Sequence, residues 1–343
     1  MDDKTDIKNF TLQELKERLI AAGDPAYRAN QIFGWIYRKG VTDFEAMVNI
    51  PISLKNKINN LFCFGSIKML QSLKSNDGTG KFLFQLADGR RIETVSIPAK
   101  DRETACLSTQ VGCKYRCLIC ASGQNGFVRN LTVSEMISQL LFLIHTRKSP
   151  VTNVVFMGMG EPFDNYENLI KVIRIINSPE GLNIGARRLT VSTGGLIPEI
   201  KRFAELGLQV HLAVSLHASN SVLRSKLVPV SRKYPLEELI PACKEYTKKT
   251  GRKITLEYTL IQGVNDTVED ARQLAVIAGR IKAKVNIIPL NVFPGLGFRP
   301  SGEKVVSIFI HHLQEKGVKV TRRHSRGQDI AAACGQLAGR RGT

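Results

Sequence analysis

The run Cys113-Lys114-Tyr115-Arg116-Cys117-Leu118-Ile119-Cys120 separates three cysteines by four and then three positions. One short loop thereby presents three thiolates to a single metal cluster. A 4Fe–4S cubane is held by cysteine thiolates, and three of them leave one iron without a protein partner, open to a small molecule. The competing reading is a structural zinc site, because Cys117 and Cys120 form a C-x-x-C pair and Cys113 and Cys106 lie close upstream. Zinc modules usually bring two matching pairs, and no second pair follows. The loop therefore favours the cluster.

On either side of this loop the chain alternates. Strand-like runs fall at 104–109, 153–157, 188–192, 209–214, 253–260 and 284–289, with helical apolar spacing between them near 133–147, 166–177, 196–206, 235–250 and 266–281. Thr132 and Glu135 stand at capping-box spacing before the first helix. Six β/α units predict an α/β fold with a parallel sheet, open or curled into a partial barrel.

Polar and special residues gather where these strands end. The cysteine loop follows the first and Gly158-Met159-Gly160-Glu161-Pro162 the second. Ser192-Thr193-Gly194-Gly195, Ser215-Leu216-His217 and Asn291 follow the third, fourth and sixth. In parallel α/β architecture that edge is where sites form. Singly each is ordinary: glycines suit turns, Ser215 suits a helix cap, and a lone His217 is more often packed than catalytic. Five such groups on one rim beside a cluster loop point to a ligand site, where glycine admits close backbone approach.

The first hundred residues read differently. Helices are predicted over 11–22, 26–39 and 51–62, and turns at Asn76-Asp77-Gly78 and Asp88-Gly89 divide 66–97 into a three-stranded meander. We divide the chain into an accessory region, 1–98, and a core, 99–343. In the last meander strand Glu93, Val95 and Ile97 share one face. Pattern alone favours a solvent-exposed face with Glu93 at the strand end. On a buried face the carboxylate would need a partner, and it would make a useful proton acceptor.

The net charge of +19 exceeds what solubility requires, and +13 of it lies beyond residue 200. Such an imbalance marks a polyanionic partner, most simply nucleic acid. Seven cysteines, three of them in one loop, do not form a disulfide framework. The acidic start Met1-Asp2-Asp3 has no signal-type apolar stretch, and the apolar run near 140–144 is too short for a bilayer. These features predict a cytoplasmic chain with no membrane contact.

Together the cysteine loop, Gly158–Pro162, Ser215–His217 and the run 329–337 (Asp-Ile-Ala-Ala-Ala-Cys-Gly-Gln-Leu) resemble the radical S-adenosylmethionine (SAM) adenine methyltransferases of the RlmN/Cfr family, over about residues 27–337. The resemblance implies a radical SAM partial (β/α)6 barrel with an N-terminal RNA-recognition extension. It also implies one 4Fe–4S cluster on Cys113, Cys117 and Cys120, with SAM on the open iron. Gly160, Glu161, Ser192, Ser215, Leu216, His217 and Asn291 then fall at SAM-binding positions, Glu161 receiving the amino group. Ile119 stands where the superfamily usually has an aromatic residue. The implied substrates are 23S ribosomal RNA and transfer RNA, the latter at the adenosine 3′ of the anticodon. An external electron donor of flavodoxin or ferredoxin type and a monomeric state complete the expectation. Pro162 after Glu161 favours the carbon 2 enzymes over the carbon 8 branch.

Cys334 alone reads as a packed cysteine among small residues. By resemblance it is the methyl carrier: one SAM methylates its thiol, a second is cleaved at the cluster, and the resulting radical activates the methyl group toward adenine. An aromatic amidine carbon is electrophilic, so direct polar methylation by SAM is closed to it. Glu93 matches the family's proton acceptor, and Cys106 the resolving cysteine that displaces Cys334 through a transient disulfide. Cys63 and Cys243 match nothing catalytic. Alternatives are the carbon 8 branch, a radical SAM enzyme with a non-RNA substrate, and a noncatalytic zinc- or cluster-binding RNA protein.

Overall fold

Turn chemistry builds the first half of the sheet. The chain reverses between strands Lys68–Lys74, Gly80–Gln85 and Arg91–Ala99, and Gly78 and Gly89 take the φ of 85° and 79° that these reversals require. Asp77 accepts from the Thr79 N–H at 2.9 Å within its turn and from the Gly327 N–H at 3.0 Å. These bonds hold its carboxyl down to about 2 against the cost of burial. Ser75 donates to Asp329 at 2.6 Å. One meander turn thus grips the stem of the segment that carries Cys334.

The computed structural model describes residues 4–147 and 149–339. The strand Arg91–Ala99 pairs antiparallel with Arg102–Cys106, which runs parallel to Val151–Phe156. Strands Leu189–Thr193, His211–Ser215, Thr255–Leu260, Lys284–Pro289 and Lys319–Arg322 continue in parallel order. The meander and the parallel strands therefore form one ten-stranded sheet, whose six β/α units make the expected partial barrel.

Helices Leu12–Ala21, Tyr27–Tyr37 and Ile52–Leu61 form the N-terminal cap. Val133–Thr146, Tyr166–Asn177, Ile197–Ala204, Leu236–Thr250 and Val268–Ile281 fall where the apolar spacing predicted. The Thr132/Glu135 capping box is formed. Ile137, Leu140 and Leu143 are buried in the same core as Val154 and Phe156. Each such side chain contributes roughly 1.5–3 kcal/mol on burial.

Three expectations need correction. The first parallel strand ends at Cys106 rather than at residue 109, and Gln110–Gly112 turns away to pair with Phe127–Asn130. The buried Gln110 side chain drives this departure, donating to Asn130 at 2.8 Å and Asp164 at 2.9 Å while accepting from the Glu161 N–H at 2.9 Å. A last helix, Glu303–Glu315, and an edge strand, Lys319–Arg322, follow the sixth unit. The edge strand is four residues with two charges, too short and polar for the pattern to register. Lastly, the face of Glu93 is not solvent-exposed: Glu93 is 2% accessible and Val95 1%, because the C-terminal segment lies against it.

Candidate active site

The cysteine loop is held at both ends by backbone. Cys113 N–H donates to Gly126 O at 2.8 Å, Leu118 N–H to Leu227 O at 3.1 Å and Ala121 N–H to Gly335 O at 2.7 Å. Gly112, at φ 74°, brings the strand so close to the Gly126 carbonyl that any side chain would collide with it. The thiols of Cys113, Cys117 and Cys120 are all pushed up by burial, Cys113 to about 12, and the charge of Cys120 adds at both other positions. Three soft donors that resist ionisation beside one another suit an iron–sulfur core, whose positive charge stabilises all three thiolates together. All seven cysteines are free. Among the described residues no group of three or more His, Cys, Asp or Glu is drawn together as for one metal ion. Ile119 lines the cavity above the loop, an apolar cover at the aromatic position.

That cavity, about 180 Å³, is bounded by all three cysteines and by Gly160, Glu161, Ser192, Ser215, His217 and Asn291. Gly158 belongs to its wall, and a Cβ there would sit 2.7 Å from the Leu107 carbonyl. At Gly160, φ 99°, it would sit 2.5 Å from Gln110 Cβ. Glu161 accepts from Phe163 N–H at 3.1 Å and from Gly194 N–H at 2.7 Å. Burial outweighs those bonds and raises its carboxyl to about 7. Ser192 and Ser215 lie 3.4 Å apart on adjacent strands. His217, at φ 56°, accepts from the Thr259 N–H at 3.1 Å through Nδ1. Burial, aided by Arg224, lowers it to about 3, so it stays neutral and offers Nε2–H. Leu216 is fully buried and outside the lining; its N–H donates to Glu257 O at 3.0 Å.

A second cavity adjoins the first and shares Cys120, Asn291, Arg323 and Cys334 with it. Cys334 is half-buried and Cys106 buried, both on its wall. Asn291 donates to Cys334 O at 3.0 Å and accepts from Gln328 at 2.7 Å. It therefore anchors the cysteine segment as well as facing the first cavity. Burial pushes the Cys106 thiol up to about 12, and the charge of Cys334 adds while Arg323 opposes. Val95 on the Glu93 strand pairs with Cys106. Glu93 itself lines neither cavity: one carboxylate oxygen faces Lys81 Nζ at 3.3 Å, the other accepts from the Ala338 and Gly339 N–H groups at 2.7 and 2.9 Å.

Sequence reading missed Arg323, Glu257 and Lys81. Arg323 was visible only as half of a basic doublet; it lines both cavities, and the charge of Cys334, then of Glu257 and Cys106, raises it. Glu257 was readable as a carboxylate inside the apolar strand Thr255–Leu260. It is buried, raised by desolvation, and accepts from Asn286 at 2.8 Å.

The sequence model of the radical SAM superfamily matches residues 107–275, and that of the ribosomal RNA large subunit methyltransferase N-terminal domain matches residues 5–64. The probable dual-specificity RNA methyltransferase RlmN of Thermoanaerobacter sp. (strain X514) is 45% identical over 332 residues, 96% of this chain and 97% of that protein. Its counterpart in Caldicellulosiruptor saccharolyticus is 45% identical over 334 residues, 97% of each chain. The crystal structure of a radical SAM methyltransferase from Sphaerobacter thermophilus superposes with a TM-score of 0.93 at 45% identity, covering 98% of this chain and 100% of that one. A loop whose three cysteines line one glycine-walled cavity, and a fourth cysteine on the shared wall, thus come with full-length likeness: the chain belongs to the RlmN family of dual-specificity radical SAM RNA methyltransferases, within a superfamily that carries a 4Fe–4S cluster and SAM.

Proposed function

We propose that this enzyme methylates carbon 2 of one adenine in 23S ribosomal RNA and of the adenosine 3′ of the anticodon in transfer RNAs. The observation that carries the reading is the pair Cys106 and Cys334 on one cavity that opens onto the cysteine-loop cavity. In this reading Cys113, Cys117 and Cys120 hold the cluster. Glu161 receives the SAM amino group, Gly160 admits close approach of the ligand, and Ser192, Ser215, His217 and Asn291 bond its remaining polar groups. Leu216 acts through the turn it fixes between Ser215 and His217. With SAM bound, the cluster supplies a carbon radical able to act on a methyl group. Cys334 carries that methyl, received from a first SAM by polar displacement, and Asn291 fixes the backbone at its carbonyl. Once the methylene is joined to adenine, the adduct gives up its unpaired electron, which the cluster held by Cys113, Cys117 and Cys120 would take back, and Glu93 takes the proton lost from the ring. The Cys106 thiolate then attacks the Cys334 sulfur, the S–CH₂ bond breaks with its electron pair on carbon, and a proton completes the methyl group. External thiol reduction of the disulfide restores both residues.

His324 and Arg326 beside Cys334 on the second cavity, with the basic excess beyond residue 200, suit an RNA strand. Residues 1–98 act as the RNA-recognition region and 99–343 as the catalytic unit, in a cytoplasmic monomer served by a flavodoxin- or ferredoxin-like donor. Among the described residues no helix is long and apolar enough to cross a membrane. The test is anaerobic turnover on unmodified 23S RNA fragment and transfer RNA, followed by nucleoside mass spectrometry. A 2-methyladenosine peak is expected. An 8-methyladenosine peak would move the enzyme to the other branch, and 5′-deoxyadenosine with neither would mean a different substrate.

A further inference from the structure

Arg224 is the largest fully buried side chain among the described residues. It sits on the short helix Ser221–Leu227, whose last residue accepts the Leu118 N–H of the cysteine loop. Its Nε donates to Leu216 O at 3.2 Å, and Nη2 donates to Gly194 O at 2.6 Å and Ser215 O at 3.2 Å. Nη1 has no hydrogen-bond partner. Among the described residues no carboxylate pairs with it, and the charges it couples to are those of Cys117, Cys243 and His217. A guanidinium out of water without a counter-ion is costly, and three carbonyl dipoles offset only part of that cost. His217 is neutral and Cys243 a protonated buried thiol. Cys117 is the one neighbour that becomes a thiolate on binding metal.

Three thiolates on a 4Fe–4S core leave the assembly negative, and one electron more makes it more so. A fixed cation behind one ligand therefore stabilises the reduced form above the oxidised. We propose that Arg224 is the built-in counter-charge of the cluster: it clamps the strand ends at Gly194 and Ser215 on the wall of the cysteine cavity and, from the helix that holds Leu118 beside Cys117, makes the cluster easier to reduce. The inference rests on the reading of Cys113, Cys117 and Cys120 as ligands. It accounts for both the missing carboxylate and the unpartnered nitrogen, since an acid here would cancel the charge the cluster needs.

The test uses the full chain, reconstituted anaerobically as wild type, Arg224→Lys, Arg224→Gln and Arg224→Met, with iron and sulfide counted and the midpoint potential titrated without SAM or RNA. With the wild-type iron content, the two neutral variants are expected to be at least tenfold harder to reduce, about 59 mV for one electron. Arg224→Lys should stay nearer wild type, which a clamp acting only through its hydrogen bonds does not predict. Neutral variants that hold the cluster at the wild-type potential would overturn the proposal. If they fail to fold, Cys243→Asp sets a carboxylate against the intact guanidinium; it should lower the potential likewise, and an unchanged value there overturns the proposal too. Full iron content after replacing Cys113, Cys117 and Cys120 together would instead remove the ligand reading on which the proposal rests.

Discussion

Glu93 and Ala338 are joined by a 2.7 Å hydrogen bond from backbone N–H to carboxylate, so the tail four residues beyond Cys334 seals the proposed proton acceptor. Gly339 donates to the same oxygen, and Leu337 O and Ala338 O are tied to Ser122 and Asn125 just after the cluster loop. The segment that carries Cys334 and the proposed proton acceptor are thus one packed unit. Glu93→Gln keeps an acceptor for the tail but cannot take a proton. It is expected to form the RNA–protein adduct and release it at least tenfold more slowly. A denaturing gel that shows free RNA at the wild-type rate would remove Glu93 from the chemistry.

Lys81 is the other half of that unit. Its ammonium lies 3.3 Å from Glu93 and 3.2 Å from Ala331 O, with side-chain exposures of 8% and 2% for the pair. Removing one partner of so buried a pair leaves the other uncompensated and costs about 3–5 kcal/mol. Lys81→Met should lose about that much stability in a urea titration, whereas a loss under 1 kcal/mol would mean the tail amides alone satisfy Glu93.

Cys106 and Cys334, two of the cysteines on the second cavity, have separable proposed roles. Cys334→Ala is expected to cleave SAM yet make no methylated adenine, because the proposed carrier is gone while Cys113, Cys117, Cys120 and Glu161 of the first cavity are kept. Cys106→Ala is expected to accumulate protein crosslinked to RNA. Full methylation by the first, or normal release by the second, would reverse the assignment.

Much of this was legible because it depends on spacing. The cysteine loop, the glycine and serine runs at strand ends and the Thr132/Glu135 box are local patterns, and local patterns survive in a sequence. What stayed hidden depends on partners far along the chain. Glu93 looked exposed because the tail that covers it lies some 245 residues away. Arg224 and Arg323 carried no local signal, since nothing local separates a basic residue in solvent from one in the core or on a cavity wall. Residues 107–109 read as strand because the partners of Gln110 that turn the chain away, Asn130, Asp164 and Glu161, come from other elements.

Gly158 offers a test of the cavity wall. A Cβ would lie 2.7 Å from the Leu107 carbonyl carbon and oxygen and from Ser108 N, all of them backbone atoms that cannot swing aside. Gly158→Ala must spread the two strand ends, at about 1–3 kcal/mol. SAM affinity should fall at least tenfold by equilibrium dialysis of the reconstituted protein. Unchanged affinity with lowered stability would mean the wall is not part of the SAM site.

The last prediction concerns pH and Arg323. A thiol raised to about 12 is protonated throughout the neutral range, so its reactive thiolate fraction grows about tenfold for each unit of pH. If Cys106 resolves the adduct, single-turnover release should therefore accelerate about tenfold per unit from pH 7 to 9, with no plateau. Arg323 is the charge that opposes the upward shift of Cys106, and its guanidinium reaches Met157 Sδ at 3.9 Å on the shared wall. Without that charge the thiol rises further, and each added unit slows release about tenfold at fixed pH. Arg323→Met should shift the whole release profile to higher pH while its slope stays the same, and Arg323→Lys should recover most of the rate. A profile flat with pH in the wild type would mean that a group other than the Cys106 thiolate limits release. An unshifted profile in Arg323→Met would mean that the arginine serves only to hold the cavity wall.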